Sequence, residues 1–219
     1  SYREITSLSV PMGISSGLFL VLSNFDILML GILRSTAETG VYSIASKLAL
    51  LTGFIIFSIN AVSAPHFSQL FYSNQKDELL SLAIKSSRLI FWASFPILVI
   101  LVIGGKFFLG VFGPEFVAGY PILLLLVLKE FVNALGGSVG QYLNMTGSHI
   151  QLRNIMLIAA ILNIGLNLAF IPLWGMIGAA VANLICFFFW NLTSSLLIYR
   201  RTGKCISYIP TFIRERFQL

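Results

Sequence analysis

Charge is what this chain has least of: Asp, Glu, Lys and Arg make up 10% of its 219 residues, against about a quarter in a soluble globular domain. That deficit excludes a soluble fold, in which every element needs a solvated face. Cysteine is scarcer still, with only Cys186 inside an apolar block and Cys205 near the end. Neither a disulfide framework nor a structural zinc site can be built from that pair. No phosphate-binding glycine loop is present, because Gly104-Gly105-Lys106 continues with Phe107-Phe108 where serine or threonine would be needed. No cofactor is implied. Basic residues exceed acidic ones, 14 to 8, yet no basic run sits on a soluble scaffold, so nucleic acid is not an expected partner. What is abundant is apolar: 57% of the residues are hydrophobic and the mean hydropathy is +0.91. The expected class is an all-α integral membrane protein.

Crossing about 30 Å of hydrocarbon takes about 20 helical residues, and the punctuated apolar runs supply six spans. They cover roughly residues 9–33, 41–65, 89–112, 117–143, 151–171 and 175–199. These runs are longer than the alternating strands of about ten residues in a membrane β-barrel. Polar punctuation separates them: the turn from Arg34 to Gly40, the stretch from Ser73 to Glu78, and Gly113-Pro114-Glu115. A short amphipathic stretch around Leu79 and Leu80 leads into the third span, Pro65 is expected to end the second, and Pro11 and Pro96 can bend theirs. Residues 1–205 form the six-helix lobe, and 206–219 a polar tail whose segment from Phe212 to Phe217 reads as interfacial or disordered. The start at Ser1-Tyr2-Arg3-Glu4, before an apolar block too long for a signal peptide, suggests a piece of a longer membrane protein.

Lysine and arginine set the orientation. One set of loops and ends carries Arg3, Lys76, Lys85, Arg88, Arg153, Arg200, Arg201, Lys204, Arg214 and Arg216, and the other only Arg34 and Lys106. Both ends of the segment are therefore expected on the cytoplasmic side. Lys47 and Lys129 fall inside spans, as do Asp26 and Glu130, where an ionised group costs at least about 2.5–3.5 kcal/mol unless it faces a bundle interior or a wet cavity. Asp26 and Lys47 share a depth on consecutive antiparallel spans and are expected to pair, either as a staple or as part of a substrate or ion site. Lys129 is near mid-membrane, too deep to snorkel comfortably. Asn133, Gly137 and Gln141 follow it at helical spacing, making a polar and small inward stripe that serves either a ligand or helix packing. Glu130 lies about 100° round the helix and is not expected to be its partner. Asn60, Asn163 and Asn167 add neutral polar positions, explained by interhelical hydrogen bonds or by ligand contact. His66 and His149 are too isolated to argue for catalysis or a metal. The sequons at Asn144 and Asn191 are chance matches.

The order of several motifs carries a resemblance. Asp26-Ile27-Leu28-Met29-Leu30-Gly31, then Gly40-Val41-Tyr42-Ser43-Ile44-Ala45, then Pro65-His66-Phe67-Ser68, and later Ile171-Pro172-Leu173-Trp174-Gly175-Met176-Ile177-Gly178-Ala179-Ala180 resemble the second half of a Wzx-type polysaccharide flippase. Such O-antigen or capsule transporters are related to the multidrug and toxin extrusion (MATE) exporters and to the lipid II flippase. The resemblance spans residues 1–205. It implies one lobe of a two-lobed MATE-like transporter of the bacterial inner membrane. That transporter would move polyprenyl-pyrophosphate-linked oligosaccharide by alternating access for lipopolysaccharide or capsule synthesis, without enzymatic activity. Its implied partners are the N-terminal lobe, the lipid-linked oligosaccharide and the polysaccharide polymerase machinery. Lys129 and Lys47 are the cations available to offset a pyrophosphate. The alternatives are a MATE-like exporter using Asp26 or Glu130 as a proton or sodium site, and an integral membrane transferase acting on lipid-linked sugar.

Overall fold

A computed structural model describes residues 2–208, and for residues 2–12, 15 and 21 the main chain alone. Within these residues the chain is helical and contains no strand, as lipid demands: a helix satisfies its own backbone where no water is available to do so. The order is α1 (Tyr2–Leu33), α2 (Thr36–Tyr72), α3 (Lys76–Gly110), a 3-10 turn (Pro114–Gly119), α4 (Tyr120–Gly136), α5 (Val139–Met145), α6 (His149–Trp174) and α7 (Met176–Thr202). By length and apolar composition α2, α3, α6 and α7 can each cross a bilayer, and α4 with α5 makes a fifth unit bent by 46°. The described apolar stretch of α1, Leu22–Leu33, is shorter. The chain is a multi-pass membrane protein, with four to five spans by this measure against the six expected.

The helices overrun their expected ends. The turn after α1 shrinks to Arg34 and Ser35, because Ser35 Oγ accepts from Glu38 N at 3.2 Å and starts α2 five residues early. Pro65, expected as a terminator, lies inside α2. Ending the helix there would strand a full turn of backbone amides and carbonyls, whereas continuing it loses one bond. The amphipathic stretch at Leu79 and the third span are likewise one helix, α3.

The fourth span differs most. It breaks at Gly137, where φ is +65°, a conformation that favours glycine. The freed backbone groups find partners in other elements: Ser138 N donates to Ser87 Oγ of α3 at 3.1 Å, and Leu135 O accepts from Tyr208 N at 2.9 Å. Residues 206–208 thereby belong to the bundle, with Ile206 buried and the Tyr208 ring 4.7 Å from that of Phe91. The tail segment expected to be interfacial lies outside the described residues.

Arg34, read from sequence only as an orienting charge, also ties the bundle together. Its Nε and Nη2 donate to Ile171 O at 3.2 and 2.8 Å, and Nη2 also donates to Pro172 O at 2.8 Å. A cation there satisfies carbonyls at the negative end of α6. In the tight α6–α7 hairpin a side chain at Gly178 would overlap the Phe170 carbonyl.

Among the described residues the apolar core falls into two large clusters with a polar belt between them, and a small third cluster of Ile56, Ile90 and Ala134. On α1, Asp26 falls between Leu22 of one large cluster and Met29 of the other. Lys129, Glu130 and Asn133 fall between Val127 on α4 and Val139 on α5, Asn163 and Asn167 between Ala160 and Ile171 on α6, and Asn183 between Ala180 and Cys186 on α7. Thr52 on α2 and Ser94 on α3 complete the belt. Lipid gives apolar helices little reason to associate, so polar contacts at mid-depth hold them in register.

Candidate functional site

The belt is anchored on α4, which packs against α2, α3 and α7 at once. That enclosure turns more than one side of α4 inward and buries both Lys129 and Glu130. Lys129 Nζ lies 2.7 Å from Glu130 Oε1, and the same ammonium sits 4.6 Å from the centre of the Phe187 ring. The expectation that neighbouring positions would point apart fails for this reason: both sides of the helix are interior, and the long lysine stem reaches the adjacent carboxylate. Glu130 Oε2 also accepts from Asn133 Nδ2 at 3.4 Å, and Asn133 Oδ1 from Asn191 Nδ2 at 3.5 Å.

Asp26 forms the second half of the site. Its Oδ2 accepts from Tyr42 Oη and from Asn183 Nδ2, the latter at 2.7 Å, and its Oδ1 from Ile27 N at 3.1 Å. The pairing with Lys47 expected across the first hairpin is therefore replaced by hydrogen bonds to Tyr42 and Asn183. Lys47 follows Tyr42 by five residues, about 140° round an α-helix. It falls on the exposed side of α2, whereas Tyr42, Ala45 and Ala49 are buried.

The remaining expected positions are dispersed. Asn60 is half-buried on α2, and its Oδ1 has no partner among the described residues. Gln141 is half-buried on α5, beyond the break, so the stripe expected from Lys129 to Gln141 is not one straight face. Gly136 packs directly under Asn191, and Gly140 lies 3.3 Å from the Trp190 ring as measured from the position of a Cβ. Asn167 Nδ2 donates to Asn163 Oδ1 and to Asn163 O, both at 3.0 Å, which makes that pair a buried structural contact. His66 is exposed and His149 buried. Among the described residues no three His, Cys, Asp or Glu side chains cluster so as to hold a metal ion.

Residues 1–116, more than half of the chain, match the family model described as polysaccharide biosynthesis protein. The chain belongs to that family. It is similar to two proteins of Haloferax volcanii: the probable flippase AglR, 26% identical over 84% of this chain and 39% of the relative, and the probable low-salt glycan biosynthesis flippase Agl15, 25% identical over 74% and 34%. The chain thus spans less than half the length of these curated relatives. Its fold is shared with a MOP superfamily transporter from Pyrococcus furiosus, at a TM-score of 0.77 and 17% identity over 94% of this chain and 47% of that one. An outward-facing multidrug resistance MATE family transporter gives the same TM-score at 18% identity, over 95% and 47%. The MATE-like helical architecture expected from the sequence is present.

In this polysaccharide biosynthesis protein, sequence reasoning passed over Tyr42, Asn183, Phe187 and Asn191 as site residues. A signal existed on α7, where Asn183, Phe187 and Asn191 recur every four residues and so line one side of the helix. They were masked by the small residues around them, which read equally well as close packing.

Proposed function

We propose that this chain is one lobe of a flippase for an amphiphile with an anionic head and a lipid tail, a polyprenyl-pyrophosphate-linked oligosaccharide, and that Lys47 contacts the head. The observation that carries this reading is the position of Lys47. It is an exposed ammonium inside an apolar span, where contact with lipid would be costly and a wet cavity or an anionic ligand is the physical alternative. Leu51 and Phe54 follow it at helical spacing and line an apolar groove of about 410 Å³ between α2 and α3, with Ile97, Ile100 and Phe108 on the other wall. A cation one helical turn from Leu51 of an apolar trough matches a lipid phosphate with its chain. The names of the Haloferax relatives favour the same class of cargo. Lys129, already neutralised by Glu130, is the weaker candidate for this task.

A second reading concerns energy coupling. Asp26, Glu130 and Lys129 bring two carboxylates and one ammonium into a buried belt, and a surplus carboxylate in low dielectric favours uptake of a proton or a monovalent cation. Asn183 Oδ1, with no donor among the described residues, adds a neutral oxygen beside Asp26. This site would drive transport of the same cargo or, as in a drug exporter, of another.

In cells whose surface glycan depends on this protein, Lys47→Ala should reduce surface glycan at least about tenfold with membrane levels unchanged, and Lys47→Arg should retain part of it. Normal glycan in the alanine variant would remove Lys47 from the cargo site. Impermeant thiol labelling of cysteines placed at Thr36 and Ser73 should modify the first from outside and leave the second protected; the reverse pattern would invert the orientation.

A further inference from the structure

A second polar feature lies at one boundary of the membrane-embedded region, away from the belt. Lys85, Arg88 and Lys204 line a pocket of about 310 Å³ with Asp77, and Leu80 and Ile84 give it an apolar floor. Its volume is at the low end of small-ligand sites, about 300–1,000 Å³. Three cations against one carboxylate leave the pocket positive. Lys204 and Asp77 approach to 3.6 Å, while among the described residues neither Lys85 nor Arg88 is ion-paired.

The depth of the pocket follows from α3. Between Arg88 and Lys106 the helix carries no charge, and those residues are about 27 Å apart by helical rise, close to one hydrocarbon thickness. Trp92, 56% exposed one turn inside Arg88, suits the interfacial aromatic belt. Lys85 and Arg88 therefore stand at headgroup level. Lys204 is brought to the same place by a built turn: Gly203 takes φ +68°, its N–H bonds to Tyr199 O, and Thr202 Oγ1 both accepts from Lys204 N and donates to Lys204 O. The strand of chain beyond is held down by buried Ile206 and the Tyr208–Leu135 bond.

We infer that this pocket binds the phosphate headgroup of an anionic membrane lipid, with Lys85, Arg88 and Lys204 on the phosphate and the acyl chains running inward past Arg88 along the exposed Leu89 and Trp92. Clustered cations at headgroup depth next to apolar surface recognise that chemistry. Asp77 competes for Lys204 and tunes the site. The pocket lies apart from Lys47 and does not depend on the identity of the transported cargo.

The test is native mass spectrometry of the purified protein offered equal amounts of phosphatidylglycerol and phosphatidylcholine. The wild type should retain phosphatidylglycerol preferentially, and Lys85→Gln with Arg88→Gln should weaken retention by about thirtyfold. Lys106→Gln, which removes a cation at the opposite boundary, should leave it unchanged. Asp77→Asn should tighten retention about threefold; weaker retention would mean that the Asp77–Lys204 pair only shapes the surface, and would overturn the assignment. So would equal retention by the double variant, or a loss as large in the Lys106 variant. Inorganic phosphate should compete no better than chloride of equal ionic strength. Full displacement by phosphate would make this a site for the free ion and refute the lipid.

Discussion

Lys47 and Lys129 are both single cations inside apolar spans, yet the bundle treats them in opposite ways. Lys129 is enclosed by three helices, held 2.7 Å from Glu130 and laid over Phe187. Lys47 is exposed on α2 beside an apolar groove. Membrane depth is therefore a poor guide to role. The deeper lysine is neutralised within this chain, and the shallower one has no ion pair among the described residues. On the proposed reading of the chain as one lobe of a transporter this difference is useful, because charges satisfied locally would hold the lobe together while those left exposed would be available to the cavity.

The largest effect that would break this contrast is on stability. Glu130→Ala leaves Lys129 buried without its counter-ion and should cost about 3–5 kcal/mol, with most of that loss recovered in Lys129→Met combined with Glu130→Gln. Thermal unfolding of the purified protein in detergent checks both. A Glu130→Ala variant as stable as the wild type would show that Lys129 finds water or another partner, and the two lysines would then no longer differ in kind.

A smaller loss should follow from Asp26→Ala. It removes the acceptor shared by Tyr42 Oη and Asn183 Nδ2, leaving buried donors unsatisfied at a cost of about 1–3 kcal/mol. Adding Tyr42→Phe should return part of that stability, since one orphaned donor is then removed. If the double variant is no better than the single one, the Tyr42 contact contributes little to holding α1 against α2.

How far the sequence reveals this architecture follows from lipid as a solvent. A soluble helix announces its buried side by amphipathicity, but here Phe54, Phe57 and Ile103 are exposed at 70% or more and are as apolar as the core. The class and most of the spans were legible, because apolar runs long enough to cross a bilayer are hard to mistake. The direction in which each residue faces was not. Asp26 was expected to meet Lys47 and instead meets Tyr42, because nothing in the surrounding apolar pattern marked the inner side of α2. The break at Gly137 was hidden for a related reason: Gly136, Gly137 and Gly140 suit close packing of a straight helix as well as a kink. Only the partners of the freed groups, Ser87 and Tyr208, tell the two apart, and both are distant in sequence.

The smallest stability effect belongs to Lys47 itself and is the sharpest test of the contrast. An exposed side chain with no ion pair among the described residues has little native contact to lose, so Lys47→Cys should change stability by no more than about 0.5 kcal/mol. The same variant supplies a probe. If position 47 lines a water-filled cavity, its thiol should react with a small charged, membrane-impermeant reagent in intact cells, from one side of the membrane at a time as access alternates, and a lipid-linked anionic substrate should protect it. A cysteine at Ile103, 80% exposed within the uncharged stretch of α3, should resist the charged reagent and accept only an apolar one. Equal reactivity at both positions would mean that Lys47 meets the same surroundings as Ile103. Its charge would then be offset by the headgroup region or by a neighbouring chain, and the groove beside it would be an ordinary lipid-facing furrow.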